Sequence, residues 1–244
     1  MEGSQGSPPP FLEPLLGVVF DLDGTLVLSN HDFRRMRREV VRIAERHGVA
    51  PGHLNVEHTL AEIESAAIAE LESSGAAEGN RFRFEAEVKR TIDAIELEAL
   101  PKTTARPGAL ELLRTLARRG FRLGVLTRSS EEFCRRALET TGLREFFPFL
   151  RTRSAPGPAK PDPEALRLLL HEMGVQYDRA LVVGDHRLDA ECATRARVRF
   201  YAVLPDGGGE PGLTDRFRAE GASAVARDLP ELAEFLTVAQ LPTP

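Results

Sequence analysis

From Ala105 to the C-terminus the chain alternates short apolar runs with amphipathic segments, and this rhythm restricts the possible folds more than any other feature. The runs at 122–127, 147–152, 180–184 and 199–204 have strand length, and helical patterns cover 108–119, 131–141, 163–173 and 188–196. Strands that are apolar throughout, rather than alternately, suit a sheet covered on both faces. Strands that take turns with helices build a parallel sheet with crossover helices. Val18, Val19 and Phe20 supply a further strand near the N-terminus. The predicted fold class is therefore α/β, with a parallel sheet at its centre.

Residues 32–100 break the rhythm, showing three helical patterns and no strand. Phe33, Met36, Val40, Ile43, Ala44 and His47 fall on one stripe, as do Leu60, Ile63, Ala67 and Leu71, and then Phe84, Val88, Ile95 and Ala99. Residues 75–80 read as the turn between the second and third helices, and Pro101 marks the exit. The chain thus divides into a core domain from 15–30 and 102–244 and an inserted helical domain at 31–101. The Gly-, Ser- and Pro-rich stretch 1–14 is expected to be a disordered lead-in. Residues 206–209 read as a flexible loop, and a helix over 229–238 is expected to pack on the sheet edge.

A chain of 244 residues, 42% hydrophobic, can bury a core of this size. Its net charge of -5 and pI near 5.8 argue against nucleic acid or an anionic membrane as the main partner and favour a small molecule. The first 14 residues lack a basic segment followed by a long apolar one, so no signal peptide or membrane anchor is predicted. Cys134 and Cys192 form no metal-binding pattern, which suits a reducing, cytoplasmic setting.

The chemistry concentrates at the ends of the predicted strands. Val18–Val19–Phe20 runs into Asp21, Leu22, Asp23 and Gly24, placing two carboxylates near one strand mouth. Carboxylates this close repel each other unless a divalent cation or a shared proton compensates. Thr127 ends a second strand and is followed by Arg128, Ser129 and Ser130. Lys160 stands in Ala159–Lys160–Pro161–Asp162, on a loop leading into a helix, and Gly184–Asp185–His186–Arg187–Leu188–Asp189 closes a third strand. In an open α/β sheet, ligands bind beyond the carboxyl ends of the strands, so these segments converge. Lys160 is one of only three lysines among 32 basic residues, with Lys89 and Lys102, which marks it as a chosen ammonium rather than generic charge.

Those four motifs, in that order, resemble the haloacid dehalogenase superfamily of phosphatases, with a helical cap inserted after the first motif. The resemblance covers the chain from about Leu15 and implies a Rossmann-like core with a four-helix-type cap, close to that of phosphoglycolate phosphatases. It implies Asp21 as the nucleophile that takes the phosphoryl group. Asp23 is implied as the acid/base, and Thr127 and Lys160 as the groups that neutralise the transferring phosphoryl oxygens. Mg²⁺ is the implied cofactor, held by Asp21, Asp185 and the Asp23 main-chain carbonyl, with Asp189 binding it or supporting a ligand. Main-chain amides at Leu22 and Arg128 are candidate donors, and His186 and His31 are bystanders.

The chain departs from the family pattern at three places. Arg128 stands where Asn is frequent, Leu28 replaces a frequent acidic residue, and Arg197 replaces a helix-ending Gly, which calls the left-handed cap there into question. In the first inserted helix, Arg37 falls within the apolar stripe while Arg35 and Arg38 point away. Arg37 then needs a partner, either an acid such as Glu64 or Glu98 or a substrate group, and it is the candidate for substrate selection. The expected reaction is hydrolysis of a small phosphomonoester. A phosphomutase is the nearest alternative, ahead of a 2-haloacid dehalogenase or an aspartate-phosphorylated receiver.

Overall fold

A computed structural model describes residues 14–73, 78–205 and 208–238. Of the expected lead-in only Pro14 falls within them, and Asp206 and Gly207 of the expected loop lie outside. The described chain forms two compact units, one from residues up to Ser29 together with those from Lys102 onward, the other Asn30–Pro101.

The first unit is built on β1 (Gly17–Phe20), β4 (Arg122–Leu126), β5 (Phe149–Arg151), β6 (Ala180–Gly184), β7 (Arg199–Val203) and β8 (Ala224–Ala226). They pair in parallel in the order β5-β4-β1-β6-β7-β8. β1 therefore lies where the order changes direction, the position at which an open sheet parts its connecting loops. β1 and β6 are buried along their whole length, as their unbroken apolar sequences require. The connections carry α4 (Ala109–Arg118), α5 (Glu131–Thr140), α6 (Pro163–Met173), α7 (Arg187–Ala196) and α8 (Leu213–Ala219), and α9 (Leu229–Val238) follows β8. On one face Leu166, Leu169 and Met173 of α6 and Ala190 and Ala193 of α7 pack with Val19, Val182 and Phe200. Each large apolar side chain buried there contributes about 1.5–3 kcal/mol.

The expected strand at 147–152 is only three residues long, and α8 and β8 had no separate sequence signal. A second small sheet, β2 (Val27–Leu28) antiparallel to β3 (Thr104–Ala105), joins the two ends of the chain flanking the insertion. Arg197, against expectation, does adopt the left-handed conformation (φ 61°, ψ 34°) as the C-cap of α7. Its N–H donates to the Ala193 and Thr194 carbonyls and the N–H of buried Val198 to the Ala193 carbonyl, a helix-ending geometry that offsets a conformation costing a non-glycine residue roughly 1–2 kcal/mol.

In the second unit, α1 (Phe33–Arg46), α2 (Leu60–Ser73) and α3 (Glu78–Ala99) share a core of Met36, Val40, Ile43, Ile63, Ala67, Leu71, Phe84, Val88 and Ile95. Three helices are present among the described residues, where the resemblance implied four. Phe33 leaves the expected stripe: it is 47% exposed and meets His31 edge-on. Glu78, Gly79 and Asn80 belong to the first turn of α3 rather than to a turn between helices, and residues 74–77 lie outside the described ones. Among the described residues no helix is long and apolar enough to cross a membrane.

Candidate active site

The loops after β1, β4 and β6, together with the segment before α6, place the predicted residues of the α/β unit at one end of the sheet. β1 is flanked by β4 and β6, with Phe20 in register with both Val125 and Val183. The next residue, Asp21, is held by its own N–H, which donates to the Val183 carbonyl at 2.9 Å. Asp21 is therefore fixed by the sheet ladder even though it lies beyond the strand.

Asp21, Asp185 and Asp189 each present a carboxylate oxygen, and the three oxygens lie within 4.8 Å of one another. The Lys160 ammonium enters this cluster, donating to Asp21 Oδ1 and, at 2.6 Å, to Asp189 Oδ1. Lys160 is 4% exposed and Asp189 is 1% exposed, so these charges have lost most of their water. Burial accordingly pushes the Asp21 carboxyl well above its ordinary range; Lys160 opposes that shift, while Asp189 and Asp185 add to it. The same forces raise Asp185 to about 7, burial first and Asp189 next, against a lowering hydrogen bond from Thr25. Burial works against the ammonium form of Lys160, but the attraction of Asp189 and Asp21 outweighs it and raises its pKa.

With all three carboxyls ionised, one ammonium leaves the cluster two uncompensated negative charges, a repulsion that adds to burial in raising Asp21 and Asp185, and its ligand atoms are all oxygens. A hard divalent cation fits both facts. Two glycines make the crowding possible. A Cβ on Gly24, whose φ is +83°, would lie 2.1 Å from Asp185 Oδ2, and one on Gly184 would lie 2.4 Å from Asp189 Cγ.

Asp23 is turned to a different set of partners. Its Oδ1 accepts from the Ser29 N–H at 3.2 Å and from the Ser29 hydroxyl. Two neighbouring aspartates thus have distinct environments, one buried against an ammonium and one partly exposed beside a hydroxyl. The buried Thr127 continues the β4–β5 ladder through its N–H to the Arg151 carbonyl, and its Oγ1 accepts from the Ser129 N–H at 3.1 Å. That contact turns the chain sharply after β4 and leaves the hydroxyl proton as the donor Thr127 can offer. Arg128 donates to the Lys160 carbonyl at 2.7 Å, tying the segment that carries Lys160 to the loop after β4.

Helix starts support the cluster. Asp162 caps α6, with Pro163 at its first turn, immediately after the Lys160 segment. His186, a bystander in the sequence reading, caps α7: its Nδ1 accepts from the Leu188 N–H, while its own N–H donates to Asp189 Oδ2. Asp189 is thereby aimed back at Lys160. Thr25 and Ser29 carry no role in the sequence motifs. Thr25 donates to Asp185 Oδ1 at 2.8 Å, and the position of each within a few residues of Asp23 was the available signal. Cys134 and Cys192 are free and buried, and burial pushes their thiols up to about 12 and about 11, which excludes thiolate chemistry at neutral pH.

Arg37 belongs to the helical unit. Its Nε is buried without a hydrogen-bond partner. Glu98, one of its two expected acidic partners, is taken instead by Arg35, whose Nη1 lies 2.5 Å from Glu98 Oε2. Arg35 does point away from the apolar stripe, and its half-exposed side chain reaches Glu98 of α3 at the surface.

Comparison with known proteins agrees with this geometry. The family model for haloacid dehalogenase-like hydrolases matches residues 15–197. A phosphoglycolate phosphatase from Rhodospirillum rubrum is 31% identical over 224 residues, covering 90% of this chain and 90% of that protein. A pyrophosphatase PpaX from Listeria welshimeri is 27% identical over 193 residues, covering 76% of this chain and 82% of that protein. The crystal structure of a hydrolase from Pseudomonas syringae superposes with a TM-score of 0.64 at 22% identity, over 92% of this chain and 100% of that one, a likeness of fold. With the sheet order, the clustered carboxylates and a family match across three of the four quarters of the sequence, the chain belongs to the haloacid dehalogenase-like hydrolases, among their phosphatases.

Proposed function

We propose that the protein hydrolyses a small phosphomonoester in two steps, through a phosphoryl group carried on Asp21. The observation that carries this reading is Lys160, buried between Asp21 and Asp189 at the mouth of β1. An ammonium so placed favours the ionised form of Asp21 against the pull of burial and lies where phosphoryl oxygens would need a positive charge. In the first step an Asp21 oxygen bonds to phosphorus and the bond from phosphorus to the ester oxygen breaks. Asp23 gives that departing oxygen its proton. In the second step Asp23 takes a proton from water, the water oxygen bonds to phosphorus, and phosphate leaves with Asp21 restored. Thr127 donates its hydroxyl proton to a phosphoryl oxygen in both steps, and Arg128 keeps the Lys160 segment in place.

Mg²⁺ is the cofactor this reading assigns to Asp21, Asp185 and the Asp23 main-chain carbonyl, with Asp189 beside them. When bound, it neutralises excess negative charge and polarises the phosphoryl group. The substrate is a small phosphorylated metabolite, with phosphoglycolate the first to try because a phosphoglycolate phosphatase is among the relatives. Arg37 is assigned to substrate selection, supported by its buried, unsatisfied Nε and by the engagement of Glu98 elsewhere. Neither nucleic acid nor a membrane is needed as a partner, and buried free thiols suit a cytoplasmic setting.

A phosphate-release screen over a metabolite library with Mg²⁺ tests the assignment. Asp21→Asn is expected to lower turnover by on the order of 10⁴-fold or more, and persistence of most of the activity would remove Asp21 from its role. Arg37→Ala, run over the same library, is expected to weaken carboxylated esters more than neutral ones; an unchanged ranking removes Arg37. Glucose 1-phosphate, followed for glucose 6-phosphate, separates the mutase alternative.

A further inference from the structure

Arg106 follows β3 and is 2% exposed, a burial that a guanidinium tolerates only when it is thoroughly hydrogen-bonded. Its Nη1 donates to the Gly24 carbonyl at 2.5 Å, and its Nη2 donates to the Leu204 carbonyl. Its backbone N–H donates to the Leu26 carbonyl at 2.9 Å. Gly24 is the residue after Asp23, and Leu204 follows β7, separated from β1 in the sheet by β6. One side chain therefore ties the turn that carries Asp23 to a strand end on the far side of the Asp185 strand.

The turn has other ties as well: the Thr25 hydroxyl donates to Asp185, and Val27 and Leu28 pair with Ala105 and Thr104. The Gly24 N–H donates to the Val27 carbonyl, and Asp23 accepts from Ser29, so these bonds stay within the unit 23–29, and neither joins the Gly24 carbonyl to the sheet. Arg106 anchors that unit to the sheet. The planar fork of arginine can donate in two directions at once, which a lysine ammonium at the end of a flexible stem does with less geometric control.

We propose that Arg106 is a positioning residue for the acid/base step: by fixing the Gly24 carbonyl it holds Asp23 where a proton can pass to the leaving oxygen. This rests on the assignment of Asp23 as the acid. The role makes a prediction that general destabilisation does not. An alkyl phosphate needs a proton on its departing oxygen, whereas p-nitrophenyl phosphate releases a stable phenolate without one. The ratio of kcat/KM for the two esters is also independent of how much of a preparation is folded.

The experiment compares wild type, Arg106→Met, Arg106→Lys and Asp23→Asn on an alkyl phosphate and on p-nitrophenyl phosphate. Arg106→Met is expected to lose on the order of tenfold or more additional activity on the alkyl ester, within the range of acid/base contributions. Arg106→Lys should fall between it and wild type, and it supplies the reading if the methionine variant does not fold. Asp23→Asn must show the same selectivity. If Asp23→Asn is selective and neither Arg106 variant is, Arg106 is structural and the inference is overturned alone. If Asp23→Asn weakens both esters equally, the acid assignment fails and the inference falls with it.

Discussion

Lys160, 4% exposed, sits between Asp21 and Asp189, whereas Arg35 and Glu98 of the helical unit pair with 43% and 56% of their side-chain surfaces in solvent. The α/β unit has gathered charges that need one another, since each has been taken out of water. The helical unit carries its pairs Arg35–Glu98, Arg46–Glu87 and Arg81–Glu72 on solvated helix surfaces, where water and salt can replace a missing partner. Removing one member of a buried set leaves uncompensated charge, while removing one member of a surface pair leaves a hydrated side chain. A unit of the first kind has little freedom to change sequence at its charged positions. One of the second kind has a great deal, because water takes the place of a lost partner.

Replacing Lys160 tests the buried side of this contrast most severely. Lys160→Met is expected to lower kcat by roughly 10²- to 10³-fold and to destabilise the fold by about 3–5 kcal/mol, read by phosphate release and by chemical denaturation. Full activity with unchanged stability would mean that the cluster does not depend on its ammonium.

The pH dependence of the metal-free protein gives a smaller effect with a definite sign. Asp185 has its pKa raised from 3.8 to about 7 in the folded chain, and Asp21 is raised as well. Between these values the folded state holds protons that the unfolded state releases, so this contribution to stability falls as pH rises from about 4 to about 7. Partial exposure of Asp185 tempers it. In thermal melts with a chelator present, Asp185→Asn should therefore gain on wild type as pH is raised through that window. Stabilisation by added Mg²⁺ should grow over the same range, because the ion and the proton compete for the same oxygens. A constant difference between the variants at every pH would show that burial does not strain Asp185.

The surface pair marks the lower end. Arg35→Ala is expected to leave the melting temperature and the kinetics close to wild type, because both partners stay hydrated. A substantial loss of stability, measured by the same melts, would remove the distinction between the two units.

Much of the fold was legible because its signals are local. An apolar run buried on both faces declares itself as a strand within a few residues, and Pro163 after Asp162 declares a helix start. The limits of β1, β6 and α6 are accordingly close to expectation. Short elements were harder: β8 has three residues and β2 two, too few for periodicity to register, and each exists because a neighbouring strand pairs with it. The left-handed Arg197 differs from expectation because the hydrogen bonds that close the end of α7, from Arg197 and Val198 to Ala193, outweigh the intrinsic preference of one residue. Glu98 went to Arg35 rather than to Arg37 because that reach depends on where α3 lies, which no helical wheel contains.

The site divides along the same line. By itself the sequence determined the chemistry on offer: two aspartates beyond one strand, a hydroxyl beyond another, one lysine in a chain that otherwise prefers arginine, and a second acidic pair. Strand patterning and residue type are short-range properties, and they suffice to say what groups stand at strand ends. Only the tertiary structure decided that β1 lies between β4 and β6, and hence that Lys160 meets both Asp21 and Asp189. It alone assigned Thr25 to Asp185, Ser29 to Asp23, and Arg106 to the carbonyls of Gly24 and Leu204. Such contacts join residues as much as 160 positions apart, and an Arg–carbonyl or Thr–carboxylate pair leaves no periodic trace in the chain because its partner is chosen by sheet order and side-chain reach.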